Sequence, residues 1–141
     1  MNNLIEIKNL SKNYHLFDQN YLNIIDKLSF TVKQSSNISI IGPSGSGKST
    51  LLNILGFLDS DYNGSYLFNG QEVKNIKTNQ LNLLRGKSMG FIHQFFHLIP
   101  ELSVIENVML PILINKNEKN SYNIAKKILF EFGLDDRINY K

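Results

Sequence analysis

The chain has 141 residues, of which 42% are hydrophobic and 19% charged, and its formal net charge is +3. This length supports a hydrophobic core, and the absence of cysteine excludes disulfides and thiolate metal sites. The weak positive charge gives no reason to expect a nucleic-acid partner. No apolar stretch approaches the about 20 residues of a spanning helix, and no signal peptide is visible. We therefore expect no membrane span and no covalent membrane anchor.

The first part of the chain predicts strands. Segments 4–8 and 28–32 alternate apolar and polar residues with period two, which predicts half-buried antiparallel strands. Segment 38–41 is short, largely β-branched and almost entirely apolar, which predicts a strand buried on both faces.

A phosphate-binding pattern follows, because residues 42–50 match G-x-x-x-x-G-K-[ST] between the predicted strand and a helix predicted over 48–58. The glycines allow the backbone amides to turn inward around an anion, and the helix directs its positive end to the same place. We expect Lys48 to reach the β- and γ-phosphates and Ser49 to bind Mg²⁺. The predicted phosphate-binding residues are Gly42, Pro43, Ser44, Gly45, Ser46, Gly47, Lys48, Ser49 and Thr50.

Further elements follow the loop. Residues 59–64 predict a turn, 65–68 a strand and Asn69-Gly70 a hairpin turn. A short helix is predicted from Thr78 to Arg85, followed by a strand over 89–92. Beyond residue 93 the chain becomes more helical, and one further helix is expected to end at Gly133, with an apolar face formed by Ile124, Ile128, Leu129 and Phe132. The fold class is therefore mixed α/β.

The stretch GFIHQFFHLIP over 90–100, together with 102–108, resembles the Q-loop region of the ATP-binding cassette (ABC) transporter ATPases. The resemblance extends from Ile5 to Arg137 and is strongest to the ATPases of lipoprotein-releasing systems. It implies that Gln94 is a catalytic residue with Lys48, that Gln94 binds Mg²⁺ with Ser49, and that Tyr14 stacks on adenine. Two positions depart from the family pattern, namely His93, where an aromatic residue such as Tyr is usual, and Phe57, where Gly is commoner.

The resemblance also implies an architecture and a function. Residues 1–93 would form the N-terminal part of a P-loop ATPase core with antiparallel strands, and 94–141 the Q-loop and the start of a helical subdomain. The protein would bind ATP and Mg²⁺ and energise lipoprotein release from the inner toward the outer membrane. It would lie peripherally on the cytoplasmic face of the bacterial inner membrane, with integral membrane subunits and a second ATPase subunit, in a head-to-tail homodimer, as partners.

The family's Leu-Ser-Gly-Gly signature, its Asp-Glu strand end and its switch histidine do not occur in these 141 residues. We therefore expect an incomplete domain, truncated before the signature, that cannot complete a catalytic site alone. The alternatives are the ATPase of a macrolide-export or cell-division system, a nucleotide-binding remnant without turnover, and a small kinase. The antiparallel strands before residue 38 argue against the kinase.

Several residues allow two interpretations. His93 and His97 have zinc-protease spacing, but Gln94 replaces the required glutamate, which favours ordinary loop histidines. Tyr14 could simply pack at a strand end. Asp59 and Asp61 are explained by a turn. An apolar cluster could be either core or a groove for a helix of a membrane subunit, and it comprises Phe91, Phe95, Phe96, Leu98 and Ile99.

Overall fold

The computed structural model describes residues 3–15, 21–114 and 120–141. The chain divides into two compact units, residues 1–85 and residues 86–141. Among the described residues, no helix has the length and apolar character needed to cross a membrane. The predicted assignment of 94–141 to the start of a helical subdomain stays a prediction.

A four-stranded antiparallel sheet dominates the first unit. Its strands, in the spatial order β2-β1-β3-β4, are β1 (Asn3–His15), β2 (Tyr21–Lys33), β3 (Asn63–Phe68) and β4 (Gln71–Glu72). The strands predicted at 4–8, 28–32 and 65–68 lie within β1, β2 and β3 and are confirmed. Alternation of apolar and polar residues with period two thus predicted parts of β1 and β2, the longest pair of strands in the sheet.

The hairpin turn between β3 and β4 is confirmed. Asn69 and Gly70 have φ of 49° and 76°, as a two-residue turn with two left-handed positions requires. After β4, a 3₁₀ turn at Val73–Asn75 leads into helix α2 (Thr78–Ser88), which continues past the predicted end at Arg85.

Helix α1 (Lys48–Leu55) begins where predicted and ends before residue 58. The Gly56 amide donates to the Leu52 carbonyl at 2.9 Å, and Phe57 then adopts a left-handed φ of 61°. Phe57 is nevertheless buried, with its ring centroid 5.3 Å from that of Phe68. A left-handed residue costs roughly 1–2 kcal/mol, whereas burying an aromatic ring contributes about 1.5–3 kcal/mol. Packing thus explains why a phenylalanine occupies this left-handed position.

Two predicted strands are wrong. Residues 38–41 and 89–92 form no strand, and Ile38, Ile41 and Ile92 are exposed to 52%, 92% and 104%. A strand exists only where a neighbouring backbone supplies hydrogen-bond partners. The sheet of the described residues is wholly antiparallel and offers no such partner to either segment. Their β-branched composition therefore indicates a preference for strand conformation, but no neighbouring strand pairs with them.

The second unit contains two described helices, α3 (Val104–Ile114) and α4 (Ser121–Glu131), followed by a 3₁₀ turn at Asp135–Arg137. Its core is formed by Ile105, Ala125 and Leu129.

The helix end predicted at Gly133 is confirmed. Gly133 has a φ of 67°, and the Leu134 amide donates to the Leu129 carbonyl at 2.9 Å. The predicted apolar face of α4 is partly wrong, because Ile128 and Phe132 are exposed to 37% and 76% while Ala125 is buried.

Two buried tyrosines differ in their hydrogen bonding. The Tyr66 hydroxyl donates to the Leu55 carbonyl at 2.8 Å and so joins β3 to the end of α1. The Tyr62 hydroxyl is buried without a hydrogen-bond partner among the described residues. Burial, with a smaller effect of the nearby Glu72 charge, raises the pKa of Tyr62 to about 12.

We expect Phe57→Ala to lower the free energy of unfolding by about 3–5 kcal/mol, because the ring is lost while the left-handed backbone remains. Phe57→Gly should lose about 1 kcal/mol less, since glycine adopts that conformation without strain. Urea unfolding of both variants measures the difference. An alanine variant at least as stable as the glycine variant would contradict this account.

Removing the Tyr66 hydroxyl should cost more than removing that of Tyr62. We expect Tyr66→Phe to lower the free energy of unfolding by about 1–3 kcal/mol, because the buried Leu55 carbonyl loses its partner. Tyr62→Phe should lie within about 0.5 kcal/mol of the native chain, because no hydrogen bond is lost and the ring stays beside Lys74. Equal losses in urea unfolding would contradict the assignment.

Candidate nucleotide-binding site

The loop over 42–47 leads directly into α1, whose first turn has amides without partners within the helix. Gly47 is the N-terminal cap residue, with a φ of 83°, and no side chain caps the helix. The first intrahelical bond runs from the Leu51 amide to the Gly47 carbonyl, at 2.8 Å. The first three amides of α1 therefore have no partner within the helix, and together with the helix dipole they favour an anion at this position.

Lys48 adds a positive charge beside these amides. Its ammonium group donates to the carbonyl oxygens of Gly42 at 2.9 Å and Pro43 at 2.7 Å. The two carbonyls thus hold the Lys48 ammonium at the start of the loop. A phosphate oxygen can replace them as its hydrogen-bond acceptor. A cavity of about 320 Å³ lies here, and its lining comprises Ile24, Ser44, Gly45, Gly47, Lys48, Ser49 and Thr50.

Strand β2 packs against the loop at Gly47. A Cβ atom on Gly47 would lie 2.8 Å from Cγ2 of Ile24 and 3.0 Å from its carbonyl oxygen. Gly45 has a similar φ of 80°, yet a Cβ atom there would meet nothing within 4 Å. Glycine is therefore required at 47 both by conformation and by contact, and at 45 by conformation alone.

Tyr14, the candidate adenine-stacking residue, lies near the end of the β1–β2 hairpin. It pairs with Leu22 and is 42% exposed, and it is not among the residues that line the loop cavity. One neighbour of its ring is a cation, since the Lys12 ammonium lies 5.0 Å from the ring centroid.

Sequence reasoning missed Lys12, whose side chain is only 4% exposed. Its ammonium lies 2.9 Å from an Asp59 carboxylate oxygen and 3.1 Å from one of Asp61. Burial tends to lower the pKa of Lys12, but hydrogen bonds and charges from the two aspartates outweigh it and raise that pKa above its usual value. A turn is present at these aspartates, because Asp59 accepts the Asp61 amide at 2.9 Å, but the predicted range 59–64 is too long, since β3 begins at Asn63. Period-two alternation gave no signal for Lys12, because the buried positions of β1 step from Ile7 to Leu10 across a register shift before they reach Lys12.

Gln94, the other candidate catalytic residue, belongs to the second unit. It is exposed, in a segment without helix or strand. His93 stacks on Phe91 at 5.5 Å between ring centroids, and His93 contacts His97 edge to face at 4.9 Å. In the described parts of the chain, no three His, Cys, Asp or Glu side chains are grouped to hold a metal ion.

The apolar cluster around Gln94 lies on the surface, so its interpretation as core is wrong. Exposed fractions are 37% for Phe91, 72% for Phe95 and 90% for Phe96. Leu98 and Ile99 are likewise exposed, to 65% and 42%. A groove for a helix of a membrane subunit stays a prediction.

Sequence reasoning also missed Asn107, which holds the loop before α3. Its side chain accepts the Ile99 amide at 2.9 Å and donates to the carbonyls of Ile99, Leu102 and Ser103. Ser103 and Glu106 form a capping box at the same helix start, and the hydrogen bonds from Ser103 lower the pKa of Glu106. The S-x-x-E spacing was a readable signal for this box.

The chain is similar to proteins of the ABC transporter family. The family profile described as ABC transporter matches residues 25–141. A lipoprotein-releasing system ATP-binding protein LolD from Wigglesworthia glossinidia brevipalpis is 43% identical over 144 residues, covering 100% of this chain and 62% of that protein. The macrolide export ATP-binding/permease protein MacB from Bdellovibrio bacteriovorus is 39% identical over 138 residues, covering 98% of this chain and 21% of that protein.

Solved structures show the same similarity. A dimeric structure of a post-hydrolysis state of the ATP-binding cassette MJ0796, bound to ADP and Pi, superposes with a TM-score of 0.84 at 30% identity, covering 97% of this chain and 61% of that one. The chain thus spans less than two thirds of the length of these relatives. The predicted P-loop ATPase fold of the ABC type is confirmed over the part that it spans, and the chain belongs to the ABC transporter family.

Proposed function

We propose that the chain binds ATP with Mg²⁺ at the loop over 42–50 and acts in ATP hydrolysis as the ATP-binding part of an ABC transporter. One observation carries the proposal: Lys48, Ser49 and Thr50, whose amides have no partner within α1, line one cavity, and the Lys48 ammonium is held by carbonyls of the same loop. Amides and a lysine at one helix start are what a nucleotide's phosphate chain requires.

The candidate residues have distinct roles in this proposal. The loop amides bind the phosphates, and Lys48 balances the charge that develops on the transferred phosphoryl group. Ser49 supplies a neutral oxygen atom to Mg²⁺. For Gln94, the family resemblance implies Mg²⁺ binding and the orientation of water. The ion, when bound, neutralises phosphate charge. Tyr14 supplies an aromatic face to the adenine.

The finer assignment is to lipoprotein release. It is supported by the 43% identity to a LolD protein along the full length of this chain. Integral membrane subunits would be driven by the ATPase at the cytoplasmic face of the inner membrane, and a second ATPase subunit would complete each site head to tail. The dimeric structure of the cassette MJ0796 supports a second ATPase subunit as a partner. Macrolide export remains the second candidate, because MacB is 39% identical.

Lys48→Ala should weaken MgATP binding by about 10- to 100-fold, because charge-assisted hydrogen bonds to the phosphates are lost. The measurement is calorimetric titration of the chain with MgATP. Lys127→Ala is the matched control, since that lysine is 79% exposed and lies on α4. Ser49→Ala should weaken binding only when Mg²⁺ is present.

The rival functions give different results in the same series. If the native chain hydrolyses ATP and Lys48→Ala abolishes this activity, the chain is not an inert remnant. If the chain transfers the phosphoryl group to a small acceptor molecule, the transporter function is excluded. Unchanged affinity in Lys48→Ala would overturn the proposed binding site itself.

A glycine pair tests the geometry of the loop. Gly45→Ala and Gly47→Ala both place a side chain at positive φ, but only the second brings a Cβ atom within 2.8 Å of Ile24. We therefore expect Gly47→Ala to weaken MgATP binding about tenfold more than Gly45→Ala, because the loop must move away from β2. Titration with circular dichroism controls for folding measures this, and equal losses would refute it.

A further inference from the structure

We propose that Lys12 is a positioning residue for the nucleotide base, whose buried ammonium group orients the Tyr14 ring and leaves the opposite ring face to stack on adenine. This inference rests on the proposed function, because it takes Tyr14 to be the base-stacking residue. It assigns a part in substrate binding to a lysine that is not among the residues lining the loop cavity.

The first step is that Lys12 is held in one place. Its ammonium group donates to the carboxylates of Asp59 and Asp61, both at 3.1 Å, and to the Asp61 backbone carbonyl. These bonds use all three of its N–H donors. A lysine that is 4% exposed keeps its charge only with such partners, and hydrogen bonds to both aspartates raise its pKa. The charge is therefore permanent and fixed in position.

The second step is that this fixed charge lies over an aromatic ring. The distance of 5.0 Å from the Lys12 ammonium to the Tyr14 centroid is within the range of cation–π attraction. Lys12 and Tyr14 are two residues apart on β1, so they share a face of the strand. Tyr14 is 42% exposed, so a large part of its ring remains accessible. The Lys12 ammonium thus covers one face of the Tyr14 ring, and the proposal assigns the other face to the adenine.

Tyr14 lies on β1, the strand paired with the one that packs against the phosphate loop. Tyr14 pairs with Leu22 on β2, and Ile24 of the same strand is the residue that Gly47 contacts. Asp59 and Asp61 lie just after α1, the helix that follows the phosphate loop. Lys12 therefore links the hairpin that carries Tyr14 to the segment that follows α1. Fixing the ring before binding reduces the ordering that the nucleotide must impose.

The test compares two ligands that share phosphates and differ in the base. Affinities for MgATP and for the magnesium complex of inorganic tripolyphosphate are measured on the full chain and on Lys12→Met, Tyr14→Ala and the double variant. Lys8→Met is the matched control, because Lys8 is an exposed lysine on the same strand. We expect Lys12→Met to weaken MgATP binding about three- to tenfold and to leave tripolyphosphate binding unchanged. In the Tyr14→Ala background, Lys12→Met should have no further effect.

The outcomes separate the inference from the proposed function. Loss of MgATP affinity in Tyr14→Ala but not in Lys12→Met overturns the role of Lys12 and leaves the stacking role intact. An unchanged Tyr14→Ala overturns the stacking role on which the inference rests. Equal losses for both ligands in Lys12→Met show a purely structural lysine and overturn the inference.

Lys12→Met leaves two aspartates without their cation, so a second variant guards against a failure to fold. Asp61→Asn loosens the ammonium while its own side chain is 93% exposed, and its fold is checked by thermal unfolding. Asp61→Asn should lose less MgATP affinity than Lys12→Met does, and its affinity for tripolyphosphate should not change. A folded Asp61→Asn variant with native affinity for both ligands counts against the proposal.

Discussion

The contact between Gly47 and strand β2 is the constraint on which the candidate site depends. The backbone of Gly47 approaches Ile24 so closely that no Cβ atom fits between them. Because Gly47 is also the cap residue of α1, this one contact sets where the helix starts relative to the sheet. The unbonded amides and the Lys48 ammonium then converge at that start. Phosphate affinity is thus a consequence of backbone packing as much as of residue type.

Helix α1 is also held at its other end, by aromatic packing. Tyr66 donates to the last helical carbonyl, that of Leu55, and Phe57 lies against the Tyr66 and Phe68 rings. Phe57 accepts a left-handed backbone for this purpose, so packing outweighs local strain. A helix of eight residues is too short to be stable alone. Its contacts at both ends therefore supply the stability that its own hydrogen bonds lack.

The buried Lys12 cluster gives the same unit a polar connection. A lysine at 4% exposure needs partners, and two aspartates from the turn after α1 provide them. The cluster joins β1 to that turn and also brings a cation to Tyr14. The residues proposed to contact phosphate and base therefore belong to one connected framework, built on the β1–β2 hairpin and α1.

Local pattern was sufficient for much of this protein. Period-two alternation located β1 and β2, Asn69-Gly70 located a hairpin turn, and the spacing of glycines and Lys48 located the start of α1. The Q-loop segment pointed to the ABC family, which the comparisons confirm. These features depend on neighbours in sequence, so sequence determined them.

Only the tertiary structure decided the rest. Residues 38–41 have the composition of a buried strand and remain unpaired and exposed, because strand formation needs a partner backbone that no local pattern encodes. Ile128 has helical spacing, yet Ala125 occupies the core, because the neighbouring helix selects the buried face. Lys12 meets Asp59 across 47 positions of sequence, a contact set by chain topology. Sequence alone therefore determined the local elements, and long-range packing decided which of their side chains are buried and paired.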